Sequence, residues 1–155
     1  MPERSVSSAK GMSFTGGCQC GKVRYSIQTD RLVSYACHCR ECQKQAASAF
    51  GMSVPVMLAS LRVEGETASW RRATDSGSHT DCHFCPTCGT RLYHAGANRP
   101  GMVTVKGGSL DRAQDLDPVA HIWVCSKQDW VVLPDGVPQW ETQPQTLEEW
   151  MELLT

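Results

Sequence analysis

No stretch of this sequence approaches the ~20 apolar residues that a membrane-spanning helix needs, the longest nearly apolar run being Val54 to Leu61. Met1 to Met12 lacks the apolar centre of a secretion signal, so the sequence predicts a soluble, cytoplasmic protein. Neither sign of charge is in excess: 15 Lys and Arg stand against 16 Asp and Glu, a net charge of −1 that provides no field for phosphate backbones and argues against a general nucleic-acid binder. No basic stripe interleaves Trp70, Trp123, Trp130, Trp140 and Trp150, so the tryptophans read as core and rim rather than as a stacking platform for single strands. There is no repeat at a fixed period. Three Phe and three Tyr are few for a core, which points to something further holding the domain together.

What the sequence does have is cysteine. Nine cysteines, an odd number, in a chain read as intracellular argue against a disulfide scaffold. They are clustered: Cys18 and Cys20; Cys37, Cys39 and Cys42; Cys82, Cys85 and Cys88; then Cys125 alone. Cysteines one or two residues apart reach disulfide geometry only with strain, yet can turn their sulfurs to a common ion, so the clusters read as metal sites.

The length of 155 residues suits a single domain. Residues 1–11 read as a disordered arm and 12–155 as one zinc-binding domain. Val23, Tyr25 and Ile27 alternate with polar residues, the period of a half-buried strand. Further short strands are expected over Leu32 to Cys37, Ala49 to Val54, Ser69 to Thr74, Thr90 to His94, Met102 to Lys106 and His121 to Cys125, separated by glycine-rich turns. The fold class is therefore mainly β. One helix closes the chain: Thr146 can cap it, Glu148 and Glu149 suit its first turn, and Leu147, Trp150, Met151 and Leu154 share one face, predicted to pack on the sheet.

Cys85-Pro86-Thr87-Cys88-Gly89 is a strong metal-knuckle signal, with a glycine where the turn needs positive φ. Cys18-Gln19-Cys20-Gly21 carries the same glycine after its second sulfur, and the two pairs together would close a four-thiolate structural zinc site. The middle cluster offers three sulfurs within six residues. Three protein ligands leave the fourth position of a zinc ion to water or substrate, the arrangement of a catalytic site; a thiol bound there would be a thiolate at neutral pH. A second reading fills that position with Cys82, Cys125 or a histidine, giving two structural ions in a non-catalytic module that binds a protein partner. His38 would face away from Cys37 and Cys39 in an extended segment and reads either as a support behind the ligands or as packing. His79, His83, His94 and His121 read as surface or satisfied core residues, and Arg40 and Lys44 as flanking charges that could meet the carboxylates of an anionic thiol.

The segments Gly17 to Tyr25, Cys37 to Cys42 and Phe84 to Thr90 closely resemble the glutathione-dependent formaldehyde-activating enzyme family, which also includes centromere protein V. The resemblance continues through Gly108-Ser109-Leu110-Asp111 and Pro118 to Val124 and covers about Met12 to Pro144. It implies a zinc-containing β-tent fold with two zinc ions per chain. Cys18, Cys20, Cys85 and Cys88 would hold the structural ion; Cys37, Cys39 and Cys42 would hold the catalytic one. It also implies a carbon–sulfur lyase whose partners are small molecules, glutathione or a similar thiol and formaldehyde or a related aldehyde, joined as S-hydroxymethylglutathione in the family's named reaction. After the third middle cysteine family members often carry Arg and a glycine-containing turn, where this chain has Gln43 to Ser48.

Overall fold

The apolar alternation that marks the first strand recurs through the chain and generates two sheets. The computed structural model describes residues 11–155, so the arm expected over residues 1–11 lies outside them apart from Gly11. In chain order the elements are β1 (Met12–Gly17), β2 (Arg24–Thr29), β3 (Tyr35–Cys37), α1 (Arg40–Ala46), β4 (Gly51–Met57), β5 (Leu61–Glu64), β6 (Ala68–Ala73), β7 (His79–Phe84), β8 (Arg91–Gly96), β9 (Met102–Lys106), β10 (His121–Ile122) and α2 (Leu147–Leu154). The smaller sheet has the order β1-β2-β5, the larger one β10-β3-β4-β9-β8-β7-β6. All neighbours are antiparallel except β10 and β3. The fold is mainly β, as the alternation predicts, with α1 in addition to the expected C-terminal helix.

The two sheets bury one core. Val23, just before β2, and Tyr25 and Ile27 of the smaller sheet pack with Val54, Val56, Val103 and Val105 from the larger one. Because strand side chains alternate, the same alternation turns Ser53, Thr104 and Lys106 to the opposite face of the larger sheet. There Tyr35, Cys37, Ala120 and Ile122 form a second cluster, covered by Trp123, Trp140 and, from α2, Trp150, Leu153 and Leu154. The C-terminal helix thus packs on the sheet, Trp150 tilted against Tyr35 with centroids 5.4 Å apart. Its start is a full capping box: Thr146 Oγ1 accepts from Glu149 N at 3.1 Å while the Glu149 carboxylate accepts from Thr146 N. Three tryptophans cover this cluster, whereas Trp70 and Trp130 are exposed rather than part of the core or its rim. Among the described residues no helix is long and apolar enough to cross a membrane.

The structure departs from the sequence expectations in three places. The strand expected over His121 to Cys125 stops at Ile122, because Trp123 adopts a left-handed conformation with φ 57° and a 3-10 turn follows over Val124–Ser126. Strands β1, β5 and β7 have no counterpart among the expected elements. Residues after Cys39 form α1, a helix beyond the single C-terminal one expected, ended by Ala47 in the left-handed region at φ 49°. An alanine there carries a Cβ strain that glycine does not. Ala47→Gly is expected to raise stability by about 0.5–1 kcal/mol, read as a higher midpoint in chemical denaturation at unchanged slope.

Candidate metal centres

Two hairpin-like knuckles, one preceding β2 and one preceding β8, bring four cysteines together. Gly21 and Gly89 take φ of 82° and 78°, the left-handed turn that the sequence predicts after each pair. The Gly21 amide donates to Cys18 O at 3.2 Å and that of Gly89 to Cys85 O at 2.9 Å, closing each loop around its sulfurs. The Sγ atoms of Cys18, Cys20, Cys85 and Cys88 lie within 4.8 Å of one another. Cys18 and Cys20 are 3.5 Å apart, and Cys20 and Cys85 3.7 Å. Four sulfurs ~2.3 Å from a tetrahedral zinc ion sit roughly 3.8 Å apart, so the donor set fits a zinc ion in chemistry and in size. Surrounding donors favour thiolate at Cys18 and Cys88. Val23 N donates to Cys18 Sγ at 3.2 Å, and the Thr90 hydroxyl, 3.2 Å from Cys88, holds that thiol down at about 5. Gln19 N donates to the same Thr90 hydroxyl, tying the first knuckle to the second.

The second centre is built differently. Cys37 ends β3, Cys39 caps α1 and Cys42 lies one turn into that helix. Cys39 Sγ accepts from Cys42 N at 3.3 Å, so the cap itself points this sulfur inward. β4 comes close enough that a Cβ at Gly51 would stand 3.3 Å from Cys42 Cβ, a contact that favours glycine there. The three Sγ atoms lie within 4.8 Å of one another. Hydrogen bonds from the thiols of Cys37 and Cys42 hold Cys39 down to about 2, and its contact with Cys39 pushes Cys37 far above an ordinary thiol. Three thiols converging on one point form a donor set that suits a metal ion. Gln45 Nε2 donates to Cys42 Sγ at 3.4 Å.

No other His, Cys, Asp or Glu among the described residues brings a ligand atom within that distance of all three sulfurs. Cys82 is fully buried on β7, with a long 3.9 Å contact from its Sγ to Thr80 O, and Cys125 is exposed beside Ser126. His38 points to the opposite side from its neighbours, as alternation predicts, and shares a 3.0 Å Nε2 to Nδ1 hydrogen bond with buried His121; burial lowers the pKa of both.

The three-cysteine cluster opens into a cavity of about 510 Å³, within the ~300–1,000 Å³ typical of small-molecule sites. Its wall includes Tyr35, His94, Trp123 and Trp150. The sequence reading missed these wall residues and also Gln43, the buried strut of the turn. Gln43 Nε2 donates to His38 O at 2.8 Å and Ser126 O at 2.9 Å, while its Oε1 accepts from Arg40 at 2.6 Å. Of the two flanking charges expected to meet a ligand, Arg40 lines the cavity but is held by Gln43, and Lys44 is not on its wall. The alternation of β9 would have found the face of Lys106; nothing in the sequence says that this face meets Cys37.

The sequence model of the glutathione-dependent formaldehyde-activating enzyme family matches residues 13–126. The match ends before Trp130 and Pro144, so Gln143 and Trp150 of the cavity wall lie beyond it. In three dimensions the chain is similar to a Rhodobacter sphaeroides protein of known crystal structure, with a TM-score of 0.51 and 20% identity over 81% of this chain and 98% of that one. That likeness concerns the fold.

Proposed function

The chain belongs to the glutathione-dependent formaldehyde-activating enzyme family, and on that premise we propose that it is a zinc-dependent carbon–sulfur lyase joining a small glutathione-like thiol to formaldehyde or a related aldehyde at Cys37, Cys39 and Cys42. The observation that carries this reading is the count of donors: four cysteines converge at one centre and three at the other, and the three-cysteine centre faces a cavity of substrate size. Cys18, Cys20, Cys85 and Cys88 would hold the structural ion and leave it no open position.

A zinc ion held by three thiolates can lower the pKa of a thiol presented to it and can polarise a carbonyl oxygen. The chain's own residues do the rest. Cys37, Cys39 and Cys42 are aimed by a strand end, a helix cap and a helix turn, so their positions depend on backbone rather than on flexible loops. Gln45 donates to Cys42 and moderates the charge on that sulfur. Trp123 and Trp150 wall the cavity on the side of the C-terminal segment and give it an apolar surface. The net reaction forms one carbon–sulfur bond. The carbonyl π pair moves to oxygen, and the proton lost by the thiol ends on the resulting hydroxyl, so no redox partner is needed.

Exchange NMR with carbon-13 formaldehyde and glutathione tests the reading. Zinc-loaded protein at micromolar concentration should speed the approach to S-hydroxymethyl adduct equilibrium well above the protein-free rate; identical rates would overturn it.

A further inference from the structure

The cavity wall is unevenly charged. Arg40, Arg72, Arg99 and Lys106 face it against Glu41 and Asp75, in a chain whose net charge is −1. A concave surface with an excess of one sign attracts ligands of the other. The four cations are not equivalent. Arg40 is bound to Gln43, and exposed Arg99 lies over the Trp150 ring, 5.7 Å from its centroid. Lys106 is only 8% exposed, and the one polar contact of its Nζ is a 3.4 Å bond to Ser53 Oγ. Among the described residues no carboxylate forms an ion pair with it. Burying an ammonium without a counter-charge is costly, so a group of this kind calls for an anion to complete it.

Its position relative to the cysteines follows from the strand register. Lys106 pairs with Ser53 of β4, and Ser53 with Tyr35 of β3, two residues before Cys37. Alternation puts Tyr35, Cys37, Ser53 and Lys106 on one face. Two strand spacings across and two residues along separate the Cα atoms of Cys37 and Lys106 by roughly 12 Å, part of which the lysine stem spans. The remaining gap suits a thiol whose sulfur and carboxylate are several bonds apart, as in a cysteinyl peptide. His94, on the same face opposite Thr104, is no rival cation, since burial first and then Lys106 itself push its pKa down to about 2.

From this placement we infer that Lys106 is a specificity-determining residue that receives a carboxylate of an anionic thiol substrate while the sulfur of that substrate reaches the Cys37, Cys39 and Cys42 cluster. The inference rests on the thiol-and-aldehyde reading above. The alternative role for the ammonium, balancing the negative charge of the thiolates, makes different demands: it would act on the metal and not distinguish one thiol from another.

Calorimetric titration of the zinc-loaded protein with glutathione, glutathione diethyl ester and neutral 2-mercaptoethanol separates these roles. Wild type should bind glutathione roughly tenfold to a hundredfold more tightly than its ester, the span of a hydrogen bond to a charged group. Lys106→Met should erase that gap while leaving 2-mercaptoethanol affinity and zinc content unchanged, and Lys106→Arg should keep most of it. A gap that survives in Lys106→Met, or an equal loss for all three thiols accompanied by loss of zinc, overturns the inference while leaving the reaction standing. If wild type binds no thiol at all, both fall. A measurement on wild type alone guards against a variant that does not fold: nuclear Overhauser effects should link the Lys106 ε-methylene to ligand protons next to a carboxylate, and their absence with glutathione bound rejects the contact.

Discussion

Cys85→Ser is expected to unfold the chain at room temperature, with no cooperative thermal transition and no zinc at the four-cysteine centre. Two effects act together. Cys85 is fully buried in the core between the sheets, beside Val23 and Leu92, so the variant places a hydroxyl among apolar side chains. The larger effect is loss of the ion. Structural zinc contributes on the order of 10 kcal/mol or more to folding, comparable to the whole stability of a domain, about 5–15 kcal/mol. The site also closes a long loop, since Cys20 and Cys85 are 65 residues apart. Against the five-residue separation of Cys37 and Cys42, loop-closure entropy alone makes the longer clamp stronger by roughly 2 kcal/mol. Circular dichroism during a thermal ramp reads the outcome; a cooperative transition within a few degrees of wild type would show that this centre does not hold the fold.

Cys39→Ser is expected to do the reverse, abolishing adduct formation above the protein-free rate while the fold survives. Serine is chosen because Cys39 caps α1, and a serine oxygen can accept from Cys42 N as the sulfur does. The helix start is therefore retained while a soft thiolate ligand is lost. The ligands of this centre are nearly adjacent in sequence, so its ion restrains little of the unfolded chain, and stability should fall by no more than about 1–2 kcal/mol. Zinc per chain should drop from two to one. If Cys39→Ser unfolds as completely as Cys85→Ser, the division between a structural and a reactive centre is wrong.

The seven cysteines and their grouping are legible without the structure because knuckle chemistry is local: a short spacer and a following glycine determine where two sulfurs point. Gly21 and Gly89 adopt the expected positive φ. The capping box at Thr146 and the alternation of Val23, Tyr25 and Ile27 are equally local. The elements that escape are those whose pattern the site distorts. In β7, His-Thr-Asp-Cys-His-Phe has only Cys82 buried, and Thr80 on the same face lines the polar cavity, so no apolar alternation marks it. At α1, the cap Cys39 and the first-turn Cys42 turn their sulfurs to the metal cluster, and the only buried helix residue is the polar Gln43, so no apolar stripe marks the helix. Trp123 breaks the last strand through a left-handed backbone, a conformation that a tryptophan does not advertise. Lys106 was beyond reach for a different reason: its face follows from alternation, but its neighbour across the sheet follows from a strand order, β3-β4-β9, that joins distant parts of the chain.

The two sulfur centres differ in their number of protein donors, and cobalt substitution reads that asymmetry most directly. Protein refolded with cobalt(II) should bind two ions per chain with the absorption of tetrahedral thiolate sites, and added glutathione should shift the bands of one ion and leave the other unchanged. A single ion per chain, or two ions that both ignore glutathione, would contradict it.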